Sequence, residues 1–362
     1  MYVRAILSLL CSCMVLGVFA QHPPHETENL VIVTLDGMRW QEVFGGVDSA
    51  LLNNPMYTRE KKELQEKFWR EGAAERRAVL FPFFWSTIVQ KGQLYGNRLA
   101  GNYVNVANPY HFSYPGYNEI FTGYPDTAVN SNDKILNKNT NVLEFINRQK
   151  GYKGKVAVFS TWDVFPYILN SARSGVYVNS GFDTLAFAAP GLKIVNEEQF
   201  LTPSPLGIRP DLLTYFAGKE YLKAYSPKVL YISFDETDDY AHSGLYDQYL
   251  KSAHAEDGMI ADLWNLLQSL PAYKDKTTLI VTCDHGRGDK IKNEWRDHGE
   301  RIEGSDAIWM AIIGPDTPPS GEAKGAGQLY QKQWAPTMAA LLGFDFHPDQ
   351  GKAEPVQTVF NQ

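Results

Sequence analysis

Three short apolar runs, each leading into an aspartate, constrain this chain more than any other feature. Residues 30–35 (LVIVTL) run into Asp36 and Gly37. Residues 229–234 (VLYISF) are followed by Asp235 and then by Asp238, Asp239, Tyr240, Ala241 and His242. Residues 279–283 (LIVTC) run into Asp284, His285 and Gly286. Near-continuous β-type runs of this kind suit strands covered on both faces by helices. Residues 156–159 and 308–313 read the same way. Helical patterns lie between them, over 83–91, 141–149 and 249–270. In the last, Met259, Ile260, Leu263, Leu266 and Leu267 recur at helical spacing. The alternation predicts an α/β fold, a doubly wound, mostly parallel sheet with helices on both faces. Ligands bind beyond the carboxyl ends of strands in such sheets. The three aspartate-bearing segments are therefore expected to converge on one rim.

What they bring there is chemically specific. Asp36, Asp238, His242, Asp284 and His285, joined by His298 from a following loop, form a set of carboxylates and imidazoles. Such a set suits divalent cations. Asp36 before Gly37 also fits a simple turn cap, and Asp235 and Asp239 are alternative carboxylates. Ser113 precedes a Pro-Gly pair and an apolar helix-like run. A hydroxyl at a helix start lies beside backbone N–H groups that lack partners, a favourable place for an anion. A cation there would make it a usable nucleophile. An N-cap role is the plainer alternative.

The order of these segments resembles the alkaline phosphatase superfamily, particularly its nucleotide pyrophosphatase/phosphodiesterase-like branch. The likeness spans most of the chain: Asp36, Ser113-x-Pro with Thr122-Gly123, Asp238-x-x-x-His242, Asp284-His285-Gly286, His298-Gly299, and a closing helix from Ala335 to Gly343. It implies that Asp36, Ser113, Asp284 and His285 hold one divalent ion and Asp238, His242 and His298 a second, zinc being usual. It implies Ser113 as nucleophile, where the branch often has Thr. It also implies an asparagine on the phosphoryl oxygen; Asn130 and Asn132 both qualify, with Asn132 preferred. Arg287, and less so Arg39, are candidate phosphate contacts.

The implied function is a two-metal phosphoric ester hydrolase working through a phosphoseryl intermediate, leaning to phosphodiesters or pyrophosphates. A phosphomonoesterase is the alternative. A sulfatase would need an Arg that the stretch from Ser113 to Tyr117 lacks. A phosphoglycerate-mutase-like enzyme would be cytoplasmic with a large second domain. A non-catalytic, metal-stapled binding protein would close each site with four ligands.

Composition narrows the partners. The net charge is −7 and there is no Lys/Arg block, so a nucleic-acid groove is not expected and the substrate is expected to be a small phosphate ester. Residues 1–20 read as a signal peptide, with one early Arg, an apolar run and small residues before a cut after Ala20. The protein is then secreted or periplasmic. That run is shorter than the ~20 residues of a membrane span. Cys11 and Cys13 leave with it, and Cys283 remains as a buried small residue. Residues 21–362 are expected to form one domain, with 44–80 and 182–225 as candidate cap insertions. Tyr103, Tyr110, Phe112, Tyr114, Tyr117 and Trp162 are either core or stacking platforms for a planar group. Oligomeric state is not encoded in any of these features.

Overall fold

The apolar runs form the centre of an eight-stranded sheet. The computed structural model describes residues 25–347, 351 and 353–360; the signal peptide expected at 1–20 lies outside them. In chain order the strands are β1 (Asn29–Leu35), β2 (Gln93–Tyr95), β3 (Asn102–Asn105), β4 (Val156–Ser160), β5 (Tyr177–Ser180), β6 (Val229–Phe234), β7 (Thr277–Thr282), β8 (Ala307–Ile308), β9 (Met310–Ile313), β10 (Gly321–Glu322) and β11 (Gly327–Tyr330). The main sheet runs β10-β2-β9-β7-β1-β6-β4-β5, and β11-β3-β8 form a smaller one. Pairing is parallel throughout the main sheet except at β9, which runs antiparallel to β7 and β2. Every residue of β1, β6 and β7 is buried, as the continuous apolar runs require.

The helices divide between the two faces. Tyr231 and Ile232 are neighbours on β6 and point to opposite sides. Tyr231 packs edge-to-face against Phe121, which belongs to the Ser113–Thr122 helix. Ile232 lies against Gly218 of the Asp211–Tyr225 helix, so close that a Cβ on Gly218 would sit 2.8 Å from its Cδ1. The two helices therefore sandwich the sheet, as a doubly wound fold demands.

Two expectations change in detail. The 308–313 run is split: Ala307–Ile308 joins the small sheet and Met310–Ile313 the large one. Trp309, between them, is fully buried and donates its Nε1–H to the Met38 carbonyl at 3.0 Å. The 182–225 segment is only partly an excursion. Its Pro190–Leu201 helix leaves Ile194, Phe200 and Leu201 exposed. Its Asp211–Tyr225 helix covers the sheet as the crossover from β5 to β6, because parallel strands need such a connection. The 44–80 segment forms the helices Ser49–Leu52, Lys61–Phe68 and Ala73–Leu80, and Leu51, Leu64, Phe68 and Leu80 belong to the common core. Among the described residues no helix is long and apolar enough to cross a membrane.

Candidate active site

The order β7-β1-β6 places the three aspartate-bearing strands side by side and parallel. Thr34 is level with Thr282, and Leu35 with Phe234. Asp36 and Asp284 thus leave the sheet at the same height. The Glu236–His242 helix starts beside them and carries Asp238 and His242 one turn apart. A loop after the short Lys292–Arg296 helix brings in His298.

Two groups of ligand atoms result: Asp36, Asp284 and His285 in one, Asp238, His242 and His298 in the other. In the first, His285 Nε2 lies 3.3 Å from Asp36 Oδ1 and 3.5 Å from Asp284 Oδ2. His285 Nδ1 faces the Gly286 carbonyl at 2.9 Å, which puts the ring proton there and turns the Nε2 lone pair inward. In the second, His242 Nε2 lies 3.1 Å from Asp238 Oδ2 and 3.0 Å from His298 Nε2. His298 Nδ1 faces the His111 carbonyl at 3.3 Å. The two groups touch: the His285 and His298 rings stack with centroids 3.9 Å apart.

The electrostatics are those of a site built around positive charge. Asp36 and Asp284 are pushed well above the usual carboxylate range, first by burial and then by neighbouring carboxylates. Asp36 Oδ1 and Asp284 Oδ2 are buried and find no hydrogen-bond donor. Two buried carboxylate oxygens facing an inward imidazole lone pair need a cation to offset them. The donor set therefore fits divalent ions. Asp238 behaves differently. Burial pushes it up, but Arg287, His242 and His298 outweigh that and hold it well below the ordinary range. Burial, then His285, pushes His298 well below the usual histidine value.

Ser113 opens the Ser113–Thr122 helix, its Oγ 3.4 Å from His285 Nε2. Close approach depends on Gly116: a Cβ there would fall 2.4 Å from the Asp284 carbonyl oxygen. One turn on from Ser113, the Tyr117 hydroxyl donates to Asp36 Oδ2 at 2.8 Å. Asn132 is beside the start of the Ser113–Thr122 helix, its Oδ1 accepting the Tyr114 N–H at 3.0 Å. That contact fixes the amide orientation and leaves the NH2 group to face elsewhere. Asn130 lies further along, in the wall of a cavity of about 150 Å3 shared with Tyr114, Val129, Ile135 and Leu136.

The arginines differ from the sequence expectation. Arg287 is buried, and its guanidinium is taken up by protein groups: the Gly37, Arg296 and Asp238 carbonyls and the Asp238 carboxylate. It does not present a free face to a phosphate. Arg39 is buried against Glu42 at 3.4 Å, away from the ligands. Of the aromatic candidates, Tyr117 and Trp162 pack against Phe165 in the core, whereas Tyr114, next to Ser113 in the chain, lines that cavity.

Three supporting residues escaped the sequence reading. Thr237 donates its hydroxyl to the Asp36 carbonyl at 2.7 Å. Gln331 donates to the Cys283 and Asp284 carbonyls at 3.1 and 2.6 Å. Asp211 accepts the Asp235 and Glu236 N–H groups, each at 3.0 Å, and so caps the helix that carries Asp238 and His242. Thr237 stands next to Asp238 and was within reach of the motif; the other two are distant in sequence.

A family model described as type I phosphodiesterase / nucleotide pyrophosphatase matches residues 44–297. Among curated proteins, the 2,3-bisphosphoglycerate-independent phosphoglycerate mutase 1 of Methanosarcina barkeri (strain Fusaro / DSM 804) is 22% identical over 153 residues, covering 40% of this chain. The match spans only 28% of that protein's length. Among solved structures, wild-type alkaline phosphatase PafA superposes with a TM-score of 0.64 at 11% identity, over 94% of this chain and 100% of that one. A putative sulfatase from Bacteroides thetaiotaomicron VPI-5482 gives 0.60 at 12% identity, over 93% and 75%. The phosphonate monoester hydrolase of Agrobacterium radiobacter gives 0.56 at 15%, over 92% and 77%. At these identities the structures establish a shared alkaline-phosphatase-like fold, and that alone.

Proposed function

The chain belongs to the type I phosphodiesterase / nucleotide pyrophosphatase family, and we propose that it hydrolyses phosphoric diesters or pyrophosphates at a two-cation centre with Ser113 as nucleophile. The observation that carries this reading is a hydroxyl beside the first of two adjoining ligand groups, Ser113 Oγ lying 3.4 Å from His285 Nε2, whose ring stacks on His298 of the second. Asp36, Asp284 and His285, with Ser113 itself, are the residues to hold one ion. Asp238, His242 and His298 are those to hold the other. With three imidazoles in the set, zinc is the ion that suits it best. Bound there, such ions would supply Lewis-acid charge that favours the ionised serine oxygen and offsets charge on the phosphoryl group.

The chain's own groups account for the remainder. Ser113 Oγ attacks phosphorus in line, the ester oxygen opposite departs, and a phosphoseryl ester remains. Water then cleaves that ester, returning the proton to Ser113 and releasing phosphate monoester. The N-terminal N–H groups of the Ser113–Thr122 helix favour the anion. The Asn132 NH2 group, left free by the Tyr114 contact, is the donor for a non-bridging oxygen. Fixed donors of this kind contribute about 2.7–4 kcal/mol each to such a transition state.

Two observations support diesters over monoesters. The Arg287 guanidinium, a natural partner for a dianion, is held by protein groups. The cavity that Tyr114 shares with Val129, Ile135 and Leu136, and with Asp126, Asn130 and Asp133, is room for a second ester substituent that carries no negative charge. Export remains the reading of residues 5–20, checked by sequencing the N-terminus of the mature protein. The activity itself is tested with bis(p-nitrophenyl) phosphate, before and after chelation. The proposal expects turnover to vanish with EDTA and return with zinc; turnover indifferent to EDTA would refute it.

A further inference from the structure

Arg287 meets four segments at once. Its Nε donates to the Gly37 carbonyl at 3.1 Å, next to Asp36. Its Nη1 donates to the Arg296 carbonyl at 2.7 Å, two residues before His298. Its Nη2 donates to the Asp238 carbonyl at 3.1 Å and contacts the Asp238 carboxylate as well. Arg287 itself follows Asp284, His285 and Gly286. Every ligand-bearing loop beyond the sheet is thus tied to one guanidinium, which is buried.

The space for it is also built in. Gly37 holds φ +56, and a Cβ there would lie 2.8 Å from Arg287 Nη2, 3.0 Å from its Nε and 2.7 Å from Asp238 Oδ1. Only a glycine takes that backbone conformation without strain and leaves the guanidinium its seat. A planar fork is needed as well. Lysine has one nitrogen, and it cannot satisfy acceptors on three separate loops in different directions. An apolar side chain would leave those three carbonyls buried without donors.

We propose that Arg287 is a positioning residue for the second cation: it fixes Asp238 and the His298 loop against the Asp36 loop, so that the second ligand group is assembled before the ion arrives. This rests on the two-cation reading above and goes beyond it. Asp36, Asp284 and His285 hang on β1 and β7 and owe their places to the sheet. Asp238, His242 and His298 sit on a seven-residue helix and a loop, which lack that support. The second site therefore depends on Arg287 far more than the first.

The test is zinc binding rather than turnover. Stepwise zinc isotherms are recorded against a chromophoric chelator for the wild-type chain, Arg287→Gln, Arg287→Lys and Gly37→Ala. The wild type takes up two ions; uptake of one or none would refute the two-cation reading separately. In the two Arg287 variants the first isotherm stays put and the second weakens by about 10–100-fold, the usual effect of removing an outer partner of a ligand; Gly37→Ala weakens both, because the Gly37 N–H also donates to Asp284 Oδ1 at 3.1 Å. Excess zinc then restores kcat in Arg287→Lys while KM stays near wild type. The double variant Gly37→Ala/Arg287→Gln is no worse than the poorer single, since both remove the same contact. If Arg287→Gln does not fold, Arg287→Lys carries the measurement, and the Arg287 variants alone decide the outcome. Two unshifted isotherms with a raised KM would assign the guanidinium to substrate, and equal weakening of both sites would make it a general brace; either overturns the proposal.

Discussion

His242 and His298 face each other with their Nε2 atoms 3.0 Å apart. The His111 carbonyl holds the other nitrogen of His298 and so turns a lone pair toward His242. Asp238 Oδ2 closes the triangle at 3.1 Å from His242. His111 adopts φ +51, rare for a residue with a side chain, and thereby aims that carbonyl. Two imidazole nitrogens and a carboxylate oxygen that converge on one point form a three-donor set for a cation.

His242→Ala should therefore cut zinc content from two ions toward one and lower kcat by more than tenfold. The His242 side chain is 42% exposed, so the chelated variant should unfold within about 0.5 kcal/mol of wild type. Metal analysis and urea unfolding check the two halves separately.

Ser113→Ala removes the attacking oxygen and little else. We expect kcat/KM for a diester to drop at least about a thousandfold, with zinc content nearly unchanged because Asp36, Asp284 and His285 still hold the first ion. Stopped-flow turnover and metal analysis on one preparation decide it; wild-type turnover in this variant would discard the nucleophile assignment.

Tyr117→Phe keeps the ring against Phe165 and deletes the donor to Asp36 Oδ2. A buried carboxylate oxygen without a donor costs about 1–3 kcal/mol, and the first zinc should bind about 10–100-fold more weakly. The stepwise isotherm should show the effect in its first phase.

The convergence of Asp36, Asp238 and Asp284 was readable in the sequence because each follows a run buried on both sides, and parallel strands bring their carboxyl ends together. Ser113 was readable as a helix start. Arg287 was legible only as a candidate phosphate contact or salt-bridge partner, because a charged residue after Asp284, His285 and Gly286 shows its charge but not its partners. The carbonyls it serves belong to Gly37, Arg296 and Asp238, two of them far away in the chain. Gln331 and Asp211 were invisible for the same reason. The Asp211–Tyr225 helix is harder to read because its buried residues mix Asp211, Thr214 and Gly218 with Leu213, Tyr215, Ala217, Tyr221 and Leu222, which blurs the apolar period. Strands β2 and β10 have three and two residues, too few to show a period.

Stability should depend on pH differently with and without metal. Burial raises Asp36 and Asp284 well above the ordinary carboxylate range, and raises Glu119 and Asp257 to about 7. A carboxyl raised in the fold contributes stability below its unfolded value, and loses it as pH climbs through the folded value. His298, lowered by burial, acts the other way, losing stability as pH falls below about 6.5. The raised carboxyls outnumber it. The chelated protein should thus weaken between pH 6 and 8, by about 1.4 kcal/mol per pH unit for each net proton. Zinc offsets the charge on Asp36 and Asp284, so the loaded protein should show a flatter or reversed slope. Urea midpoints at pH 6 and 8, with EDTA and with zinc, check the sign.

The most direct measurement is kcat/KM on zinc-loaded protein for bis(p-nitrophenyl) phosphate, p-nitrophenyl phosphate and p-nitrophenyl sulfate, side by side. The proposal of a Ser113 nucleophile at a two-cation centre, with the Arg287 guanidinium held by protein groups, predicts the diester first, the monoester behind it and the sulfate last. A sulfate turned over faster than either phosphate, or equal rates from protein stripped of metal, would contradict the account.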